Sequence, residues 1–153
     1  MKYSDDYMYS KDIDWFCIIN KSYVHVASAG GLLPEIINDR AKLRKTQKQV
    51  FNLPYIINDN DIIINDRFIN ERFNNYEDKA SYLSSFIDMA KKGFISMDRT
   101  NLLDLDDQSY HIVCMPNKII QLDLEIIKIE QDVFEPNRPT ENIKLLEIFK
   151  KKK

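Results

Sequence analysis

Three glycines in 153 residues, two of them adjacent at Gly30-Gly31, constrain this chain more than any other feature. Glycine enters left-handed backbone without a steric cost. With so few, most turns fall to Asn and Asp, which tolerate that region better than other non-glycine residues. A glycine pair in such a chain marks a backbone path that no other residue is expected to adopt.

The pair follows the run Ser22 to Ala27, in which Val24 and Val26 share one face and Tyr23, His25 and Ala27 the other. Upstream, Asp14-Trp15-Phe16-Cys17-Ile18-Ile19 is apolar on both alternating faces, the pattern of a central strand covered on each side. Asn20-Lys21 separates the two runs, so they predict a hairpin. Beyond the glycines, Pro34 stands where first helical turns favour proline. Ile36, Ile37, Leu43, Val50 and Phe51 keep a rough helical period, predicting a helix from Glu35 to about Phe51 that Pro54 closes.

Asn75 to Lys92 predicts a second helix, with Tyr76, Ala80, Leu83, Ile87 and Ala90 on one stripe and Tyr82 and Phe86 one turn apart. Asn75 caps its start, Glu77 and Asp78 suit the first turn, Lys91 and Lys92 the last, and Gly93 the exit. Between the helices, Tyr55-Ile56-Ile57 and Ile62-Ile63-Ile64 flank Asn58-Asp59-Asn60-Asp61. They read as short strands of a hairpin, with pieces of a long connection as the alternative. Phe94 to Met97 and Tyr110 to Met115 predict strands joined by an acidic loop with Asp104, Asp106 and Asp107. From Ile119 to Ile129 the pattern alternates and then slips phase at Ile126-Ile127, as at a bulge. A helix through Leu122, Ile126, Ile129 and Val133 is the competing reading. Thr140 is placed to cap a last short helix with Ile143, Leu146 and Phe149.

Strict βαβ alternation is absent, which predicts an α+β fold. The expected architecture is one globular domain over 1–153, with a mainly antiparallel sheet of about five to six strands. Two longer helices and a short C-terminal helix pack on it. Residues 1–11 read as an N-terminal arm and 150–153 as a frayed lysine tail.

Composition narrows the class. With 44% hydrophobic and 30% charged residues, the chain resembles soluble globular domains rather than disordered or collagenous ones. No run reaches the roughly 18–20 uncharged residues of a membrane helix, and the start lacks the apolar core of a signal peptide. A cytoplasmic location and no membrane partner are expected. The excess of Ile, Asn, Lys and Asp suits an AT-rich, bacterial genome. A net charge of -2 from 22 basic and 24 acidic residues gives the whole chain no electrostatic reason to seek nucleic acid. Cys17 and Cys114 lie in apolar runs and read as buried free thiols.

Two segments have the residue types for ligand chemistry. Ser28, Gly30 and Gly31, between a strand and a helix start, would turn backbone N–H groups towards an anion, with His25 at the rim. The segment lacks the third glycine of the dinucleotide fingerprint and the Lys-Ser/Thr of the phosphate loop. The plainer reading is a tight reversal. In Asp98-Arg99-Thr100, Arg99 would clamp a carboxylate or phosphate, or pair with Asp98 to shape a turn. His25 and His111 lie in predicted strands and would meet only if those strands are neighbours. A lone His in an apolar strand is most simply a hydrogen-bonded core residue.

Other signals are weak. Asp59 and Asp61 begin like a calcium loop that lacks its glycine and closing glutamate. No metal set surrounds either cysteine. Arg40 to Lys48 carries five positive charges in nine residues, most simply a solvated helix face. No cofactor is expected.

The leading expectation is a small protein-binding domain without a catalytic centre, comparable by analogy with an antitoxin or immunity protein. A basic helix set against an acidic strand region favours steered contact with another protein, and Tyr3, Tyr7, Tyr9 and Trp15 supply interface-type aromatics. The alternative is a small enzyme or anionic-ligand binder. It would use the Ser28–Gly31 loop with His25 or His111 as acid/base and Arg99 as the charge clamp.

Overall fold

A computed structural model describes residues 1–150; the tail at 151–153 lies outside the described residues. The expected α+β fold is present as one six-stranded mixed sheet with helices on both faces. The strands are β1 (Asp14–Ile19), β2 (Ser22–Ala27), β3 (Ile62–Ile64), β4 (Ile95–Arg99), β5 (Tyr110–Pro116) and β6 (Lys128–Ile129). Their order across the sheet is β3-β5-β4-β2-β1-β6. Pairs β1/β2, β4/β5 and β3/β5 are antiparallel, whereas β2/β4 and β1/β6 are parallel.

The β1–β2 hairpin turns on Asn20 and Lys21, at φ 45° and 74°. Two left-handed residues match the twist of the flanking strands, and Asn supplies one without glycine. Because β1 and β2 are central, both of their faces are covered. Trp15, Cys17, Ile19, Val24 and Val26 face one cluster with Met97, Ile112 and Leu145. Phe16 and Tyr23 face the opposite side with Phe94 and Val50. A register shift lets β5 slip one residue against Ser96 and Met97. Val113 and Cys114 therefore both join the cluster of Phe68, Phe86 and Ala90.

Among the described residues five α-helices pack around this sheet: α1 (Asp5–Tyr9), α2 (Arg40–Phe51), α3 (Asp66–Arg72), α4 (Tyr76–Lys91) and α5 (Leu145–Lys150). The N-terminal arm is α1, held by buried Met8 and by Asn38, whose side chain takes both the amide and the carbonyl of Tyr3. The first long helix starts at Arg40 rather than Glu35. Pro34 instead opens a turn in which its carbonyl accepts from the Ile37 and Asn38 amides, and Asp39 caps the helix through the Lys42 amide. In α4, Asn75 caps as expected, at 2.8 Å from the Asp78 amide, and Gly93 exits at φ 104°. Its first turn stands clear of the sheet, leaving Tyr76 and Ala80 exposed, while Tyr82, Phe86 and Ala90 face inward.

Three further expectations are corrected. Tyr55 to Ile57 is not a strand, because the Ile56 and Ile57 amides close the end of α4 by donating to Lys91 O. Of that middle region only β3 is strand, followed by α3. The 119–130 segment is neither a full strand nor a helix. It runs extended over the sheet edge, with Leu122, Leu124 and Ile126 on one cluster and Ile127 and Ile129 on the other. The phase slip is thus the chain crossing from one face to the other. Thr140 does not cap α5; its carbonyl accepts from Ile112 while Ile143 bridges Tyr110.

Candidate functional site

The Ser28–Gly31 loop is buried in the protein's own hydrogen bonds. Ser28 is fully buried, its hydroxyl accepts from the Ile13 amide at 2.7 Å, and its own amide donates to Ile13 O. The Ala29 amide donates to Asp12, Gly30 to Lys11 O, and Gly31 to Ser28 O. Four consecutive N–H groups are therefore engaged, and the nearest long helix begins nine residues later. The loop ties the N-terminal arm to the sheet. Gly31 is required by proximity: a Cβ there would stand 2.6 Å from Tyr110 Oη and 2.8 Å from Arg99 Cδ.

Arg99, 2% exposed, holds carbonyls rather than an anion. Its Nε donates to Ala29 O, and its Nη1 to Asn101 O, Asp104 O and Asp107 O at 2.9, 3.2 and 3.1 Å. Asp98 accepts from the Arg99 amide, not from its guanidinium. The planar fork of donors is what lets one residue gather four loop carbonyls.

His25 and His111 are both buried on the α4 side of the sheet, and β4 lies between their strands, so the rings do not meet. Each centres its own network. His25 Nδ1 lies 2.6 Å from Ser96 Oγ, and His25 Nε2 lies 2.8 Å from Asp14 Oδ1. The carboxylate can only accept, so Nε2–H donates to it, while the serine hydroxyl pairs with Nδ1. Ser, His and Asp are the residue types of a hydrolase triad, and neither Ser96 nor Asp14 was singled out by sequence pattern. Ser96 is fully buried, however, so a substrate has no path to its hydroxyl. The other ring, His111, stacks on Phe68 at 3.5 Å between centroids. Its Nδ1 meets Thr100 Oγ1 at 2.9 Å, and its Nε2 lies 3.3 Å from Tyr82 Oη. Burial, then the Arg72 charge, depress the His111 pKa to about 3, so the ring is neutral. Burial first of all raises Asp98 to about 6, against the lowering hydrogen bond from Tyr82.

Both cysteines are free and buried, and burial pushes both thiols up, Cys114 to about 12. Neither is a thiolate near neutral pH. Among the described residues no group of three or more His, Cys, Asp or Glu is placed to hold a metal ion. No described helix is long and apolar enough to cross a membrane.

Concave surfaces lie elsewhere, one of them a cleft of about 400 Å³ between the β1–β2 turn, the end of β5 and residues 132–137, lined among others by Tyr23, Met115, Ile120 and Phe134. A groove of about 680 Å³ runs between α1, the start of β1 and α2, lined among others by Tyr3, Tyr7, Lys11, Arg44, Lys48 and Phe51. Tyr3 and Tyr7 stack at 4.7 Å, with Arg40 over the first ring and Lys11 over the second. Phe51 is 75% exposed. The α2 helix contains five cations and no acid, and among the described residues none of its cations forms an ion pair. The groove's own carboxylates, Asp12 and Asp14, are turned to Ala29 and His25. Trp15, expected among the interface aromatics, is instead fully buried, edge-on to Phe149.

Compared with protein-family models, curated proteins and solved structures, the chain matches none.

Proposed function

We propose that this chain is a small cytoplasmic, bacterial protein-binding domain, acting as an antitoxin or immunity protein does by engaging one partner through the α1–α2 groove. The observation that carries the reading is the combination in that groove of exposed aromatics with unpaired cations. Tyr and Phe supply rigid contact area, and the cations of α2 steer an acidic surface towards it. The partner is accordingly a protein with an acidic face around an apolar centre. The enzyme reading lacks a corresponding surface, since Arg99 and the Ser28–Gly31 amides are internally engaged and both histidines are enclosed.

The test is capture from a lysate of the chain's own cells at low salt, with the unmodified protein beside an Arg44→Glu/Lys48→Glu variant. The captured protein is then purified and titrated against each. An acidic protein bound by the first and lost by the second, with affinity falling as salt rises, is the expected result. The same protein held equally by both overturns the reading.

A further inference from the structure

The loop between β4 and β5 holds Leu102, Leu103 and Leu105 in solvent at 53%, 99% and 50% exposure. Single exposed leucines are ordinary, but three within four residues form an apolar patch of the kind that marks an interaction site. The loop is fastened from beneath. Arg99 gathers the carbonyls of Asn101, Asp104 and Asp107, while the Asp104 and Asp107 carboxylates accept from the Asp106 and Ser109 amides. A loop already ordered gives up little freedom on binding. Asp104 and Asp106, both exposed, stand among the leucines.

Loop and groove have complementary chemistry. The loop is apolar and acidic; the groove is aromatic and basic, with Lys11, Arg44 and Lys48 along it. Both lie at the same end of the sheet: Asp14, in the groove wall, pairs with Ala27, and Ala27 pairs with Asp98 beside the start of the loop. A twofold contact in which each copy's loop enters the other's groove would be reciprocal and close on itself.

We propose that the Asn101–Asp107 loop docks into the α1–α2 groove of a second copy, forming a symmetric dimer. The leucines cover Phe51 and Tyr7, and Asp104 and Asp106 meet Arg44 and Lys48. This rests on the reading of the groove as a protein-binding surface and names an occupant for it. A foreign acidic partner and the second copy then compete for one groove.

Sedimentation equilibrium at low salt tests the dimer. The mass of the unmodified protein is expected to rise with concentration from 18.1 kDa towards twice that value, and to fall back as salt is added. Leu103→Asp, at a fully exposed position that the fold does not use, is expected to stay monomeric, as is Arg44→Glu/Lys48→Glu. Mixing these two variants restores one intact loop–groove contact, so the mixture associates more than either alone. An unmodified protein that stays monomeric at every concentration, or a Leu103→Asp variant that dimerises equally well, overturns the proposal. If that monomer still loses its acidic partner on Arg44→Glu/Lys48→Glu, only self-docking fails. If the variant keeps the partner, the groove reading fails as well.

Discussion

Asp98 and His111 face each other across β4 and β5, and their proton affinities are displaced in opposite directions. The Tyr82 hydroxyl stands between them, donating to Asp98 Oδ2 at 2.7 Å and lying 3.3 Å from His111 Nε2. One burial thus penalises both charged forms. It holds the carboxyl's proton on to about pH 6 and keeps the ring neutral down to about pH 3.

Asp98 makes stability fall as pH rises. The folded protein binds this proton more tightly than the unfolded chain, so the contribution is complete below the ordinary carboxyl value of 3.8 and is lost through about pH 6. Asp98→Asn removes the buried charge and retains an acceptor. Urea unfolding is expected to show the variant more stable by about 1–2 kcal/mol at pH 8 and no more stable at pH 4. Equal effects at both pH values would sink this assignment.

His111 acts with the opposite sign. Its depressed value means that the unfolded chain takes up the proton first, so stability drops as pH falls below 6.5 and continues to drop towards about 3. In an Asp98→Asn background, where the opposing carboxyl is gone, the acid decline is expected to stand alone. Adding His111→Gln should flatten it, read as the pH dependence of the urea midpoint.

Ser96 is a structural partner of His25. Ser96→Ala leaves the buried Nδ1 without its partner and is expected to cost about 1–3 kcal/mol in thermal or urea unfolding. A serine-directed phosphonate probe applied to the folded protein should leave Ser96 unlabelled. Labelling detected at Ser96 by peptide mass would instead show that the hydroxyl is reachable.

Gly31→Ala puts a methyl within 2.8 Å of Tyr110 Oη, Arg99 Cδ and the Ser28 backbone carbonyl. Overpacking of this kind costs about 1–3 kcal/mol. The same variant should loosen the 101–107 loop through Arg99, visible as faster amide exchange there than in the unmodified protein. Unchanged stability and exchange would show that the loop backbone shifts freely.

The sequence by itself determined the elements whose signals are local. The β1–β2 hairpin follows from alternation around Asn20-Lys21, the α4 helix from its Asn75 cap and Gly93 exit, and the tight path at Gly30-Gly31 from the scarcity of glycine. The α+β class follows from their order. Tertiary structure decided what depends on partners distant in the chain. Pro34 opens a turn rather than the helix: its carbonyl takes the Ile37 and Asn38 amides, the Asn38 side chain holds Tyr3, and Asp39 caps α2. The Ile119–Ile129 run became an edge-crossing ribbon because clusters on two faces of the sheet divide its side chains.

The sites divide in the same way. Individual residues such as His25, His111 and Arg99 stood out in the sequence, but their partners did not. Ser96 and Asp14 reach His25 only through the β2–β4 and β1–β2 registers, and Tyr82 reaches Asp98 only when α4 lies on the sheet. Whether Arg99 meets an anion or four carbonyls is a matter of which loops fold over it. A sequence states which groups can ionise or donate; burial and neighbours, which the fold alone supplies, set what those groups do.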